Sequence, residues 1–344
     1  MALTSLTEKI YRSLADRRHG GLSGYEELIP IAGPDAWNAE NRSGRRGRLI
    51  AICTMRYWFP PSHRMLPVTF LVLSAFLHPL QAHSDSPSGN ELIARINSRP
   101  LGVTEIRHAR ITLRKEGRIQ DAYEVVTLRK QESNQASTLF LMRSPVPLRG
   151  TAFLLRESLA AGTPGCRIWL SLPTADHVLE IDSSFWADPL LGSDFTYQDW
   201  RLWLPVRDLR PGEVRKTSCR AGPCYRLNVW PANPTAAQQL NWIRANLYID
   251  SKRWVLLKAE YFYHATPAPE RIFEALDFQR VGNIWSPRRM TMTTTANSQQ
   301  TTVGLLGVWY NQSIPAIFMD PRQLPFLSKP FDRMFKNLLG KHAL

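Results

Sequence analysis

Residues 137–143 read Ser-Thr-Leu-Phe-Leu-Met-Arg, and residues 151–156 read Thr-Ala-Phe-Leu-Leu-Arg. Both are strand-length and rich in strand formers. Both place apolar side chains at consecutive positions: Leu139, Phe140, Leu141 and Met142 in one, Phe153, Leu154 and Leu155 in the other. Successive side chains of a strand point to opposite faces, so a strand with one wet face alternates apolar with polar residues. An unbroken apolar run calls for burial on both faces. Two architectures meet that demand: two packed sheets, or one sheet curved strongly around an apolar space.

The flanking sequence is of the same kind. His108 to Arg114 alternates strictly, with Ala109, Ile111 and Leu113 on one face and His108, Arg110, Thr112 and Arg114 on the other. Glu116-Gly117-Arg118 interrupts the pattern and Tyr123 to Lys130 resumes it, as in a hairpin. Further strand patterns follow at Arg167–Leu172, His177–Asp182, Glu213–Ser218, Tyr225–Trp230, Trp242–Asp250, Trp254–Tyr263, Arg271–Arg280, Arg289–Thr295 and Thr301–Tyr310. Short strands separated by turns predict one large antiparallel sheet rather than βαβ units. Asn90 to Arg99, with Leu92, Ile93 and Ile96, is the segment with helical spacing.

Upstream lies Leu66 to Ala82, LPVTFLVLSAFLHPLQA, behind the basic flank His63-Arg64. Broken by Pro67, His78 and Pro79, it falls short of the roughly 20 apolar residues of a membrane span. A short apolar core ending in a small residue has the form of a secretory signal. The sequence therefore predicts an upstream extension over 1–64, with functional starts at Met55 or Met65, a signal peptide over 65–82, and one exported domain over 83–344 beginning at His83.

The net charge is +14, of which +10 belongs to the part after residue 64. Its cations stand singly along strand patterns, as in Arg107, Arg110, Arg114, Arg118 and Arg129, which predicts a solvated basic surface with an affinity for anionic headgroups. Nucleic acid is not expected as a partner. In an oxidising compartment Cys219 and Cys224, bracketing Arg-Ala-Gly-Pro, are placed to close a hairpin turn as a disulfide, with Cys166 buried on its own. A zinc site would need a second ligand pair, and none follows. No metal or other cofactor is expected.

The sequence has no GxSxG elbow, no HExxH and no phosphate-binding glycine loop. Its most site-like stretch is Gly192–Trp200, GSDFTYQDW, with a serine, two carboxylates and three aromatics in nine residues. Asp194 and Asp199 lie five residues apart in a loop, a spacing with no specificity for acid–base work. The residues instead suit a turn in which Ser193 or Asp194 caps backbone amides while Phe195, Tyr197 and Trp200 cover apolar surface.

Four motifs, in order, resemble a known family. Pro147–Leu154, Trp169–Pro173, Phe185 with Gly192–Asp199, and Asn311–Phe318 are similar to the signatures of bacterial outer membrane lipoprotein-sorting proteins of the LolA-like group. They run through residues 145–320. Gln198 departs from the family's usual acid, and the cysteine hairpin is extra. The resemblance implies a mainly β fold, a strongly curved antiparallel sheet forming an unclosed half-barrel with a few short covering helices. It also implies a periplasmic, non-enzymatic carrier of lipid or lipoprotein acyl chains, served by an inner-membrane exporter and an outer-membrane acceptor. Phe140, Met142, Phe153, Leu155, Trp169, Phe195 and Tyr197 are then the expected lining of an apolar cavity. A non-carrying subunit of an envelope export complex is the alternative, with a hydrolase behind it.

Overall fold

Glu116 and Gly117 both have positive φ, 52° and 78°. That is the type I′ geometry whose twist matches the two strands it joins. It closes the hairpin of β1 (Thr104–Lys115) and β2 (Arg118–Gln131) in a computed structural model that describes residues 86–159, 166–175, 177–181, 186–197, 199 and 206–341. The expected extension over 1–64, the apolar core over 65–82, His83, Phe185, Gln198 and Trp200 lie outside the described residues.

The chain continues through β3 (Gln135–Ser144), β4 (Ala152–Ser158), β5 (Cys166–Ser171) and β6 (Leu179–Ile181). The second wing comprises β7 (Leu209–Cys219), β8 (Gly222–Pro231), β9 (Arg244–Asp250), β10 (Leu256–Phe262), β11 (Arg271–Val281), β12 (Ile284–Thr294) and β13 (Gln299–Tyr310). All pair antiparallel in one 13-stranded sheet, β6-β5-β4-β3-β2-β1-β13-β12-β11-β10-β9-β8-β7. The sheet is not closed into a barrel, because β6 and β7 end it without meeting. The packed-sandwich alternative is thereby excluded.

Helix α1 (Gly89–Asn97) starts with a capping box, Ser88 Oγ accepting from the Glu91 amide and Glu91 accepting from the Ser88 amide. It buries Leu92 and Ile96 on the sheet's inner face. That inner layer is one continuous cluster, from Ala109, Val125, Phe140 and Phe153 in the first wing to Leu227, Leu247, Phe273 and Met292 in the second. Register shifts at His108/Ala109, Leu113/Arg114, Glu124/Val125, Pro211/Val214 and Leu256/Lys258 help to bend it.

The outer face of β1–β5 is covered too. Ile106, Val126, Leu128, Leu139, Leu141, Leu154 and Trp169 pack under Ile314, Phe318, Leu324, Leu327, Phe331 and Phe335. Phe318 and Leu324 come from two 3-10 turns, Ala316–Met319 and Pro321–Phe326, Phe331 and Phe335 from α3 (Ser328–Lys341), which follows the short α2 (Pro234–Leu240) in chain order, and Ile314 and Leu327 from the connections beside them. His108 meets Phe335 edge-on, and Arg143 pairs with Asp332. This C-terminal cover went unread in the sequence. It supplies the second buried face that the runs at 139–142 and 153–155 demand.

Two further expectations need correction. Strand β12 begins at Ile284, not Arg289, and runs through Pro287. From Ile284 to Pro287 it pairs with β11 alone, and pairing with β13 begins at Arg289↔Gly304. A proline's missing amide hydrogen is tolerated beside such an open edge. The basic surface is also not uniform. Arg107 and Arg129 are each 4% exposed, whereas Arg110 and Arg118 are exposed as expected.

Candidate functional site: the inner face, its strap and a buried arginine cluster

Residues 186–197 cross the inner face as a strap. Trp186, Leu190, Leu191 and Phe195 are buried in the inner cluster. Tyr197 meets Phe153 of β4 with ring centroids 5.5 Å apart, and Phe195 meets Phe273 of β11 at 6.5 Å. Strands β4 and β11 stand six places apart in the sheet. On a flat surface that separation is about 29 Å. Three consecutive residues reach both strands because the sheet curls around them.

Polar ties hold the strap. Asp194 is buried; its Oδ2 accepts from Thr301 Oγ1 at 2.7 Å and its Oδ1 from Thr294 Oγ1 at 2.6 Å. Its amide donates to Thr301 Oγ1 at 2.9 Å and its carbonyl accepts from Arg271. Asp199 Oδ2 accepts from the Thr196 amide at 2.7 Å and from Arg271 Nη2 at 2.6 Å. Arg271 Nη1 completes the set on Tyr263 Oη at 2.7 Å. Burial opposes the Arg271 charge, but Asp199 and Tyr263 outweigh it and raise its pKa. Burial pushes the Tyr197 hydroxyl up, with Asp188 adding to the shift.

The stretch that resembles a catalytic loop is thus a pinned strap. Ser193 Oγ bonds its own loop, accepting from the Phe195 amide at 3.2 Å and donating to the Phe195 carbonyl at 3.1 Å. Ser193 caps an amide as expected; Asp194 does not, since its carboxylate takes threonine hydroxyls. The amide cap falls to Asp199. Sequence reasoning missed the partners Arg271, Thr294 and Thr301, which lie 77, 100 and 107 residues beyond Asp194 with nothing local to mark them.

Phe140, Met142, Phe153, Leu155, Phe195 and Tyr197 all belong to or pack against the inner cluster. Trp169 does not. It pairs across the ladder with Leu154 and so shares the outer face, flanked by Arg156 and Arg167 over its ring. Side chains of the strap and of α1 are buried against this inner layer. Cys219 and Cys224 form a disulfide across the β7–β8 turn, Cα–Cα 5.8 Å, and Cys166, expected to be buried, is half-buried and outside that bridge. Among the described residues no group of three or more His, Cys, Asp and Glu comes together as a metal site.

One end of the inner face is polar. Glu105 and Arg107 of β1 and Arg129 of β2 share the parity of Ala109 and Val125. Arg107 Nη2 lies 2.9 Å from Glu105 Oε1, and Arg129 Nε lies 3.9 Å from Glu105 Oε2. Tyr310, opposite Glu105 on β13, hydrogen-bonds Ser286 and Arg107. Arg99, at the end of α1, joins them; burial and then the Arg129 charge lower its pKa to about 10. Burial likewise lowers that of Arg129, and it opposes the charge of Arg107, where Glu105 and Tyr310 prevail and raise the pKa.

Two surface hollows lie elsewhere. One, of about 510 Å³, occupies the open seam between β12 and β13 and is lined by Ile284, Arg288, Leu306, Val308, Tyr310 and their neighbours. The other, about 460 Å³, sits beside the disulfide, between Arg220 and Phe278. Neither touches the expected apolar lining residues.

A family model described as "-like: Uncharacterized protein" matches residues 134–325. The chain belongs to that family. Solved structures with the same fold are a DUF1329 family protein from Desulfovibrio piger, 15% identical with a TM-score of 0.62, the match covering 67% of this chain and 95% of that one. A domain named as an outer membrane lipoprotein-sorting protein, from Vibrio parahaemolyticus, is 17% identical with a TM-score of 0.58, covering 69% and 96%. A LolA superfamily protein from Nitrosomonas europaea is 15% identical with a TM-score of 0.50, covering 68% and 99%. The fold is LolA-like, as the motifs imply. No curated protein matches the sequence.

Proposed function

We propose that this protein is a non-enzymatic periplasmic carrier that shelters the acyl chains of a lipid or lipoprotein against the inner face of its sheet. The observation that carries this reading is the inner face itself. Its apolar cluster spans both wings of the sheet and is roofed by α1 and a strap whose aromatics stand where a chain would lie. An acyl chain costs about 0.8 kcal/mol per CH₂ exposed to water. A carrier therefore has to offer an apolar surface of this kind, and Phe195 and Tyr197 would give way to the cargo. The name of the Vibrio domain agrees with such a role. Among the described residues no helix is long and apolar enough to cross a membrane.

Export would proceed through cleavage after Ala82, and N-terminal sequencing of periplasmic material should begin at or near His83. Retention of residues 1–64 on the exported protein would overturn that part. An inner-membrane donor and an outer-membrane acceptor are the partners this role requires. Mass spectrometry of lipid extracted from the purified protein, with titration of a fluorescent fatty acid, tests the carrier reading. If the protein neither carries lipid nor binds the dye, it is a docking subunit of an envelope complex instead.

A further inference from the structure

Three hairpin turns come to the same end of the second wing. They are β7–β8 at Arg220, β9–β10 at Lys252 and Arg253, and β11–β12 at Gly282 and Asn283. Antiparallel strands alternate in direction, so every second turn of such a sheet lies along one rim. Beside these turns, on the outer face, is the hollow of about 460 Å³, with Leu257, Leu276 and Phe278 on its apolar side and Arg220, Arg253 and Lys258 on its polar side. The C-terminal cover packs on β1–β5. Among the described residues none of it joins the small apolar cluster of this region, Cys224, Val255 and Leu257.

The ion pairs here leave cations in surplus. Asp250 matches Arg253 at 2.8 Å, Glu260 matches Lys258 at 2.8 Å and Asp277 matches Arg289 at 2.9 Å. Arg220, Lys252 and Arg280 are exposed and make no ion pair among the described residues. The carboxylate left to oppose them is the half-buried Glu274, which shares the hollow with Lys258.

An exposed aromatic stands among these cations. Trp285 follows the β11–β12 turn and is 36% exposed, with Arg253 and Arg280 over its ring at 5.4 and 6.0 Å from the centroid. An indole with one side wet and arginines around it suits the headgroup layer of a bilayer, where the ring sits at the interface and guanidinium groups take lipid phosphates. Cations on three adjacent turn tips present their charge along a rim, which a flat anionic surface engages all at once.

We propose that this end of the second wing docks the protein on a bilayer surface rich in anionic phospholipid, through Trp285 and the turn cations Arg220, Lys252 and Arg280. The docking surface lies on the outer face and uses none of the inner apolar layer, so the inference stands without the carrier reading. In a carrier it would hold the molecule at the membrane while cargo is exchanged.

Co-sedimentation with vesicles of phosphatidylcholine and phosphatidylglycerol, beside vesicles of phosphatidylcholine alone, tests the proposal. Wild type should prefer the mixed vesicles and lose them as salt is raised, because screening shortens the reach of surface charge. Arg220→Gln and Arg280→Gln should each weaken binding about fivefold, the scale of one cation near an anionic surface. Trp285→Ser should weaken it in low and high salt alike. Arg118→Gln, at the β1–β2 turn on the opposite end of the strands, is the control and should bind as wild type does. All four residues are exposed, so these variants keep the fold, and fatty-acid binding should be unchanged in each. That second readout separates failure of docking from failure of the carrier reading. Equal binding to both kinds of vesicle, binding to neither, or an equal loss in Arg118→Gln and Arg220→Gln overturns the proposal. Wild type that binds polyglutamate but neither kind of vesicle would give the surface to an acidic protein, and overturns it as well.

Discussion

Arg271 Nη2 stands 2.6 Å from Asp199 Oδ2, with the two side chains 12% and 10% exposed. This pair ties the strap to β11, while Asp194 ties it to β12 and β13 through Thr294 and Thr301. The strap is held by polar ties at its end and by aromatic packing along its length. Polar ties can be cut without disturbing the sheet's ladder, which separates the strap's contribution from that of the fold. Arg271→Ala leaves Asp199 buried without its cation, a loss of about 3 kcal/mol. Asp194→Asn keeps the shape and one acceptor, so its loss should be nearer 1–2 kcal/mol. Urea unfolding measures both. A bound fluorescent fatty acid should also dissociate faster from each variant. An Arg271→Ala protein that unfolds at the wild-type midpoint would show that the strap is not pinned this way.

The reach of the sequence can be judged at particular residues. The alternation at 108–114 and the Glu116-Gly117 turn are local signals, and both specify the structure directly. Extending the same alternation two steps back would have placed Arg107 and Glu105 on the apolar face, which is where they lie. The signal for the buried arginine cluster was therefore present. Trp169 is different. Its face depends on register with β4, and a one-residue slip inverts every side chain, so parity inside its own strand cannot assign it. The C-terminal cover was illegible for a related reason. Ile314, Phe318, Leu324 and Leu327 come from 3-10 turns and their connections, which carry no steady period.

A second prediction concerns acid. Burial works against ionisation of Glu260, yet hydrogen bonds from Asn246 at 2.9 Å and Tyr248 at 3.1 Å, with Lys258 at 2.8 Å, outweigh it and hold the carboxyl below its usual range. A carboxyl with a lowered folded pKa binds fewer protons folded than unfolded. Its contribution is full above the ordinary Glu pKa and is lost as pH falls through the lower folded value. Glu260→Gln should therefore be less stable than wild type at neutral pH, and the gap should close below about pH 4. A gap of constant size from neutral pH down to strongly acid solution would reject this account.

The cysteine hairpin gives a third. A bridge between Cys219 and Cys224 closes a short loop and should stabilise by only about 2 kcal/mol. Non-reducing peptide mapping of protein taken from the periplasm should find these two linked and Cys166 alkylatable. Reduction should lower the unfolding midpoint modestly and leave fatty-acid binding intact, since the turn is remote from the strap. Two free thiols in such a sample would contradict the pairing.

The fourth sets neighbouring residues of one strand against each other. Phe153 points inward to Phe140 and Tyr197, and Leu154 points outward to the C-terminal cover. Truncation of either leaves a void in a packed cluster, so Phe153→Ala and Leu154→Ala should each lose about 3 kcal/mol of stability. Their effects on cargo should differ. Phe153→Ala, and more severely Phe153→Glu or Leu155→Glu, should weaken or abolish binding of a fluorescent fatty acid at temperatures where the protein remains folded. Leu154→Ala and Trp169→Ala should leave that affinity near wild type and instead loosen the C-terminal segment, seen as faster amide exchange over Phe318–Phe335. Loss of fatty-acid binding on Leu154→Ala but not on Phe153→Ala would place the cargo on the outer face, under the C-terminal cover.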